Sequence, residues 1–280
     1  MNIHSTALVA EGARLGEGVV VGPWSQIGAE VALGPGCVVQ SHCVLEGNVV
    51  AGARNTFGHG CIVGSPPQDY AFDPATRSGV RIGDGNTFRE YVTIHRGTKP
   101  DTFTVVGNDC YLMTGVHLGH NTSLGHRVVM ANNCLLAGYV EVGDRAFFGG
   151  DSIFHQFLRI GTLAMIAGGS QFNQDIPPFC LADQRNEVRG VNMVGMRRAG
   201  FSAATRAAIR AVYRRVFLSQ RNRREVIAEI AAGENPPEVA VLLEFIRSSK
   251  RGVCRHKSRA VADDAESNPA PRPEGEIHSK

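Results

Sequence analysis

A six-residue period runs through the first part of the chain and restricts its fold more than any other sequence feature. At every sixth position the residue is nearly always small or β-branched: Ala7, Ala13, Val19, Ser25, Val31, Cys37, Cys43, Val49, Asn55 and Cys61. The residues two places further on are larger: Val9, Leu15, Val21, Ile27, Leu33, Val39, Leu45, Ala51, Phe57 and Val63. Glycine follows this second column in seven of the ten repeats, which indicates a recurring tight turn.

A second run of the pattern begins at Val80, shifted by one residue, and continues to Ile166. A repeat of this kind is typical of a parallel β-helix. Each six-residue unit supplies a short strand and a corner, so three units form one triangular coil, and coils stack at the strand spacing of about 4.8 Å. The period therefore predicts a mainly β chain, a left-handed parallel β-helix of hexapeptide repeats with a C-terminal α-helical domain.

Five of the seven cysteines lie in the small-residue column: Cys37, Cys43, Cys61, Cys110 and Cys134. A cysteine at such a position behaves as a small hydrophobic residue. We therefore interpret these five as part of the core rather than as metal ligands or nucleophiles. An odd number of cysteines without a secretion signal also predicts reduced thiols.

Two stretches break the period, residues 65–79 and residues 98–103. Both predict loops expelled from the prism, and excursions of this kind commonly bind ligands. The period ends near residue 172. We therefore expect the β-helix over residues 1–172 and a connecting segment over residues 173–200.

Helical spacing of apolar residues predicts an α-helical domain over residues 201–249, which closes one end of the prism. A first helix is expected from an N-cap at Ser202 to about Ser219, and a short helix near residues 224–232. A third helix is expected with Asn235 as cap and Pro236 at its first position. Residues 250–280 lack apolar periodicity, so we expect a disordered tail.

The 280 residues carry a net charge of +3, which is too small to indicate nucleic-acid binding. No stretch is long and apolar enough to span a bilayer. The first residues also lack the basic and apolar regions of a signal peptide. The sequence therefore predicts a cytoplasmic protein without a membrane span.

Three histidines, His117, His120 and His126, fall within ten residues. If three repeats form one coil, Gly119, Ala137 and His155 stack in one column, which places His155 two coils from His120. A histidine can serve as a general base near neutral pH, although exposed histidines are also common on a protein surface. No compact set of His, Cys and carboxylate ligands accompanies the cluster, so we predict no metal site.

Several segments resemble the bacterial acyl-carrier-protein–UDP-N-acetylglucosamine O-acyltransferases, which begin lipid A biosynthesis. The resemblance runs from about residue 2 to about residue 250, in order and nearly without gaps. The segments that carry it are residues 93–98 (Thr-Ile-His-Arg-Gly-Thr), 117–120, 131–133 (Ala-Asn-Asn), 136–138 (Leu-Ala-Gly), 155–157 (His-Gln-Phe) and 197–202 (Arg-Arg-Ala-Gly-Phe-Ser).

The resemblance implies transfer of a 3-hydroxyacyl chain from acyl carrier protein to the 3-hydroxyl of UDP-N-acetylglucosamine. It implies a homotrimer with sites between subunits, and no cofactor, because the thioester arrives activated. His120 matches the general base, and the backbone N–H of Gly138 matches the group that stabilises the oxyanion. Positions that contact the nucleotide sugar, the acyl chain or the carrier are matched by Asp69, His117, His155, Gln156, Arg198 and Gly168.

The chain departs from the family pattern at positions near the substrates. Asn121 stands where the family commonly has an aspartate beside the base, and an amide cannot stabilise an imidazolium as a carboxylate does. The other departures are Ala71, Tyr139, Val194 and Ala199. These changes leave two alternatives open: an N-acyltransferase that acts on an amino-sugar nucleotide, and a non-catalytic or metal-binding β-helix protein.

Overall fold

The computed structural model describes residues 2–257, and most of them wind into a three-sided prism. Strands of successive coils pair in parallel, and Val20 aligns with Val38, which aligns with Thr56. The three faces are parallel sheets of 12, nine and eight strands, and only the first gains an antiparallel strand near its end. The predicted left-handed parallel β-helix is confirmed.

Most strands are two residues long, since each face of a coil leaves room for little more before the next corner. The first face comprises Asn2–Ile3, Val20–Val21, Val38–Val39, Thr56–Phe57, Thr87–Phe88, Tyr111–Leu112, Val129–Met130, Phe147–Phe148, Met165–Ile166, Cys180–Asp183, Glu187–Val191 and Arg255–His256. The second face comprises Leu8–Val9, Gln26–Ile27, Val44–Leu45, Ile62–Ser65, Thr93–His95, His117–Leu118, Leu135–Leu136, Ile153–Phe154 and Gln171–Phe172. The third face comprises Arg14–Leu15, Ala32–Leu33, Asn48–Ala51, Gly79–Ile82, Phe103–Val106, Ser123–Leu124, Glu141–Val142 and Arg159–Ile160.

Both residue columns of the repeat fill the prism. The five cysteines of the small column are free thiols and are buried, which agrees with their interpretation as core residues. Aromatic residues of the large column stack between coils, and the rings of Phe57 and Phe88 lie 5.1 Å apart. This continuous apolar stack is the main source of stability, because each buried side chain of this size contributes about 1.5–3 kcal/mol.

Six of the seven recurring glycines serve close packing rather than a turn with positive φ, which corrects the sequence interpretation, and Gly64, with a φ of 92°, is the exception. A Cβ at Gly34 would lie 2.6 Å from the carbonyl carbon of Gly52 in the next coil, and a Cβ at Gly22 would lie 2.8 Å from that of Gln40. Positive φ angles occur instead at the corners, often at larger residues such as Trp24 and His42. The glycines are needed because neighbouring coils stack backbone against backbone.

The two predicted loops leave the prism at the corner between the second and third faces without disturbing the register of the third face. Residues 66–78 separate Ile62–Ser65 from Gly79–Ile82, and Val49 still pairs with Val80. Residues 96–102 separate Thr93–His95 from Phe103–Val106, and Val80 still pairs with Thr104. Coils after the loops therefore face the same directions as coils before them.

Four helices follow the coils: α1 (Met193–Arg198), α2 (Ala203–Phe217), α3 (Arg223–Ala231) and α4 (Pro237–Arg247). The side chain of Ser202 accepts the N–H of Thr205 and caps α2, as predicted. Pro236 rather than Asn235 is the N-cap of α4, so that helix begins one residue later than expected. The helices enclose a second apolar cluster beside the end of the prism.

The segment over residues 173–200 contains more regular structure than a connection. Cys180–Asp183 and Glu187–Val191 form an antiparallel hairpin on the first face, and α1 follows. The chain from 250 to 257 is also ordered, contrary to the predicted tail, because Val253 and Cys254 are buried and Arg255–His256 pairs with the hairpin. Residues 258–280 of the predicted tail lie outside the described residues. Across residues 2–257, none of the helices has both the length and the apolar character needed to cross a membrane.

Candidate active site

The corner between the second and third faces carries an aromatic column at a period of one coil. Asn121, Tyr139 and Phe157 occupy equivalent corner positions with φ angles of 60°, 61° and 64°. The rings of Tyr139 and Phe157 are stacked, with centroids 4.8 Å apart. The imidazole of His120 stands edge-on to Tyr139 at 5.2 Å, so the column fixes one side of the imidazole.

His120 lies directly over Gly138 of the next coil. A Cβ built at Gly138 would stand 2.3 Å from Cε1 and 2.5 Å from Nε2 of His120, so only glycine fits there. Among residues 2–257, no acceptor pairs with the backbone N–H of Gly138. The structure thus brings together the two residues that the resemblance assigns to catalysis, a base and a free N–H.

A hydrogen-bond network behind His120 fixes its tautomer. The backbone N–H and the hydroxyl of Thr98 each donate to Oδ1 of Asn121 at 3.0 Å, which identifies that atom as the amide oxygen. Nδ1 of His120 lies 3.1 Å from the same oxygen and must therefore carry its proton. The hydroxyl of Tyr139 completes the network by donating to Oγ1 of Thr98 at 2.8 Å. In this arrangement Nε2 of His120 has a free lone pair.

His95 and His117 form an imidazole pair on neighbouring strands of the second face. Their rings are edge-on at 4.9 Å, and Nδ1 of His117 lies 2.7 Å from Oγ1 of Thr93. Burial, followed by the nearby His95 and His120, lowers the pKa of His117 to about 4. Burial, followed by His120, also lowers the pKa of His95. Both rings are therefore neutral at neutral pH and offer uncharged hydrogen-bonding groups.

His155 and Gln156 lie at the same corner, two coils beyond His120, and both are exposed. The register that the sequence predicted holds, because Gly119 donates to the carbonyl of Leu136 and Ala137 to that of Phe154. His126 lies at a different corner, between the third and first faces. The structure therefore separates His126 from the other two members of the sequence cluster.

Asp69, Gly168 and Arg198 lie on three other elements. Asp69 is exposed in the loop of residues 66–78 and accepts the N–H of Ala71 at 3.0 Å. Arg96 holds that loop beside His95, since its guanidinium donates to the carbonyl of Pro74 at 3.1 Å. Gly168 is exposed at the corner between the first and second faces, and Arg198 is exposed at the end of α1. Within residues 2–257, none of the three is hydrogen-bonded to the His120 corner.

Sequence reasoning did not assign roles to three residues that the geometry brings to this region: His95, Thr98 and Arg251. The first two lie in the segment of residues 93–98 that carried the resemblance, so a signal was present. Arg251 lies in the predicted tail, where no sequence pattern indicated a role. Across residues 2–257, His, Cys, Asp and Glu side chains nowhere assemble in groups of three or more that could hold a metal ion.

Comparison with known proteins gives the same picture. Residues 175–254 match the family described as Udp N-acetylglucosamine O-acyltransferase, Domain 2, and residues 12–47 match the bacterial transferase hexapeptide (six repeats). The acyl-[acyl-carrier-protein]–UDP-N-acetylglucosamine O-acyltransferase of Syntrophobacter fumaroxidans is 44% identical over 260 residues, which cover 91% of this chain and 100% of that protein.

The chain belongs to the acyl-[acyl-carrier-protein]–UDP-N-acetylglucosamine O-acyltransferase family. The resemblance inferred from the sequence is confirmed, and the chain is an acyltransferase of this family. Two solved structures are similar over the same length. UDP-N-acetylglucosamine acyltransferase from Campylobacter jejuni gives a TM-score of 0.87 at 33% identity, covering 91% of this chain and 100% of that one. UDP-N-acetylglucosamine O-acyltransferase from Moraxella catarrhalis gives 0.86 at 34% identity, with the same coverage.

The predicted departures from the O-acyltransferase family pattern fall in two groups in the structure. Asn121 and Tyr139 belong to the hydrogen-bond network behind His120. Ala71 is exposed in the loop of residues 66–78, and Val194 and Ala199 lie in α1 and at its C-cap. The first group contacts the base or its hydrogen-bond partners, and the second group lies on other elements.

Proposed function

We propose that this chain transfers a 3-hydroxyacyl chain from acyl carrier protein to the 3-hydroxyl of UDP-N-acetylglucosamine, the first step of lipid A biosynthesis. Membership of the O-acyltransferase family supports the reaction class. The observation that carries the proposal is the contact of His120 with Gly138, which pairs a free imidazole lone pair with a free backbone N–H.

In the proposed reaction, Nε2 of His120 removes the proton of the sugar hydroxyl as its oxygen attacks the thioester carbonyl carbon. The backbone N–H of Gly138 stabilises the negative charge that develops on the carbonyl oxygen. The carbon–sulfur bond then breaks, and the imidazolium returns the proton to the departing thiolate. The products are an ester on the sugar and the free thiol of the carrier protein.

Thr98 and Tyr139 act on this reaction through Asn121. An aspartate beside His120 would stabilise the imidazolium by its charge, whereas Asn121 supplies only an oriented dipole. Two donors from Thr98 hold that dipole in place, and Tyr139 holds the hydroxyl of Thr98. We infer that this chain keeps the correct tautomer of His120 and has a weaker base than an aspartate would give.

The remaining predicted residues are proposed to bind the substrates. His117 lies on the strand that leads to His120 in the same coil, and His155 and Gln156 lie two coils further along the prism, so they would contact the sugar nucleotide or the acyl chain around the reacting atoms. Asp69 would reach the same substrates from its loop. Gly168 has no side chain to limit the acyl chain, and we propose a longer rather than a shorter hydroxyacyl donor.

We propose a cytoplasmic homotrimer with sites between subunits. Exposed apolar side chains on the first two faces support self-association: Leu135, Phe147, Ile153 and Met165. Arg198 and the arginines of α2 form a basic surface near the end of the prism, suited to an acidic carrier protein. The proposed reaction needs no cofactor, because the thioester supplies an activated acyl group.

The decisive experiment measures product mass after incubating the purified protein with UDP-N-acetylglucosamine and a panel of 3-hydroxyacyl carrier proteins. We expect a new acylated sugar nucleotide with the wild-type protein and none with His120→Ala. Absence of product across the panel would reject O-acyl transfer. Highest activity with a ten-carbon donor would reject the proposed preference for long chains.

A second candidate, transfer to the amine of an amino-sugar nucleotide, is favoured by one observation, the neutral Asn121 beside the base. An amine is a better nucleophile than a hydroxyl and needs less help from the base. Direct competition between hydroxyl and amino acceptors separates the two. A higher kcat/KM with the amino acceptor than with the hydroxyl acceptor would identify the amine as the native acceptor.

A further inference from the structure

Residues 248–257, which we call the C-terminal strap, follow α4 and run back along the end of the prism. The strap is fixed by its backbone. The N–H of Asp175 donates to the carbonyl of Gly252 at 2.9 Å, and the carbonyl of Asp175 accepts the N–H of Cys254 at 2.9 Å. The side chains of Val253 and Cys254, in the same stretch of the strap, are buried. The strap is therefore part of the folded end of the molecule.

The buried carboxylate of Asp175 also holds the start of the strap. Asp175 is 1% exposed, and its carboxylate accepts the hydroxyl of Ser249 at 2.8 Å. It also accepts the backbone N–H of Arg159 at 2.9 Å and the side-chain Nε at 3.3 Å. The guanidinium of Arg159 continues to the carbonyl of Phe245 at 2.8 Å. A fully bonded buried carboxylate rigidifies its surroundings, so the positions on both sides of Arg251 are set.

This anchoring places the guanidinium of Arg251 at His155. Nη2 of Arg251 lies 3.3 Å from Nδ1 of His155, and Nε donates to the carbonyl of Asn173 at 3.4 Å. A guanidinium can only donate, so Nδ1 of His155 accepts and its ring proton is on Nε2. The 3.3 Å contact from the same Nδ1 to the carbonyl of Gln156 is then not a hydrogen bond.

Arg251 makes no ion pair within residues 2–257, although two other cations at this end of the molecule do. Arg159 pairs with Asp175, and Lys257 pairs with Glu187. Arg251 is half-buried, and it therefore presents an uncompensated positive charge beside an imidazole N–H donor. A planar fork of donors with this charge matches phosphate oxygens well.

We propose that Arg251 and His155 together bind a phosphate group of a substrate. The proposal rests on the proposed function, in which two reactants carry phosphate: the sugar nucleotide with its diphosphate, and the carrier protein with the phosphodiester of its prosthetic arm. Arg251 becomes a binding residue supplied by the strap, and Asp175 becomes the residue that positions it.

The test is calorimetric titration of the full chain with UDP and, in parallel, with uridine, which lacks phosphate. Arg251→Gln removes the charge, and Arg255→Gln is the matched control, because Arg255 is an exposed arginine of the same strap without a contact to His155. We expect Arg251→Gln to weaken UDP binding about tenfold, which corresponds to about 1.4 kcal/mol, and to leave uridine binding unchanged. Arg255→Gln should bind both like the wild type.

The source of the phosphate follows from comparing the UDP affinity with the KM for acyl carrier protein. If UDP affinity is unchanged in Arg251→Gln and the KM for acyl carrier protein rises about tenfold, the phosphate belongs to the carrier. Equal affinities and equal KM values in the two variants would overturn the proposal. Loss of UDP affinity in Arg251→Gln, in a protein whose wild type makes no acylated product, would uphold the phosphate site and reject the proposed reaction. If the glutamine variant does not fold, Arg251→Lys is compared instead. It keeps the charge and loses the planar fork of donors, so its UDP affinity should still be lower than that of Arg255→Gln.

Discussion

The imidazole of His120 occupies the space that any side chain at Gly138 would need, since a Cβ there would stand 2.3 Å from Cε1. The proposed base and the proposed oxyanion donor therefore come from adjacent coils, and their contact depends on the spacing between the backbones of these two coils. This relationship makes the proposed chemistry sensitive to the smallest possible substitution at residue 138.

Gly138→Ala is expected to displace the His120 ring and reduce kcat at least about 100-fold, the order of effect that a positioned general base contributes. Gly190→Ala is the matched control, because a Cβ at Gly190 meets nothing within 4 Å. Steady-state kinetics with UDP-N-acetylglucosamine as acceptor measures the effect, and melting temperature shows whether the coil stack is intact. Wild-type kcat in Gly138→Ala would contradict the placement of His120.

Thr98→Val should lower kcat up to about tenfold, because the hydroxyl that orients the amide of Asn121 is lost while the backbone N–H bond remains. KM for the sugar nucleotide should not change, since Thr98 is proposed to act through the base. Thr56→Val, on the first face, provides the comparison. A raised KM with an unchanged kcat would show that Thr98 contacts the substrate instead.

Stability should fall as the pH drops from about 7 towards 4. His117 has a pKa of about 4 in the folded protein, below its ordinary value of about 6.5, so the unfolded chain binds more protons over this interval. The favourable contribution of neutral His117 is therefore present above pH 6.5 and is lost as the pH falls through 4. Denaturant unfolding of the wild type and His117→Gln at several pH values measures this, and the variant should show the shallower dependence. Parallel losses in the two proteins would exclude His117 as the cause.

Asp175→Asn should destabilise the fold by about 3 kcal/mol, because it leaves the guanidinium of Arg159 without its buried counter-ion. Asp183→Asn breaks the exposed pair with Arg189 and should cost less than about 1 kcal/mol. Free energies of unfolding in guanidinium chloride provide the comparison. Equal losses of unfolding free energy in the two variants would show that the buried pair of Asp175 stabilises the fold no more than the exposed pair does.

The prism could be predicted from the sequence because one short-range rule, a six-residue period, indicates which side chains point into it. The corner at His120 was predictable for a similar reason, since the same arithmetic stacks Gly119, Ala137 and His155. The hairpin of Cys180–Asp183 with Glu187–Val191 and the strap have no period. The hairpin and the strap are held by hydrogen bonds to Asp175 and by pairing with residues distant in sequence, and a local sequence pattern does not predict such contacts.

The role of Asn121 also depended on contacts between distant parts of the chain. The sequence alone indicated only that Asn121 places an amide, instead of a carboxylate, beside His120. In the structure, Thr98 in the second loop supplies two donors to its amide, and Tyr139 comes from the next coil. Such a network needs the register of three coils and the path of a loop at once.

The two loops leave and rejoin the prism without changing the direction in which later coils face. The direction in which a residue faces therefore depends only on its position within a coil. An added or removed whole coil before the first loop would shift the His120 corner along the axis and keep its orientation. An added single six-residue unit would turn every later coil by one face. His120, Tyr139 and Gly138 would keep their mutual contacts, but their corner would lie on a different side of the prism from the coils before the insertion. Loop length is thus free to vary in this protein, whereas the length of the wound chain can change only in whole turns.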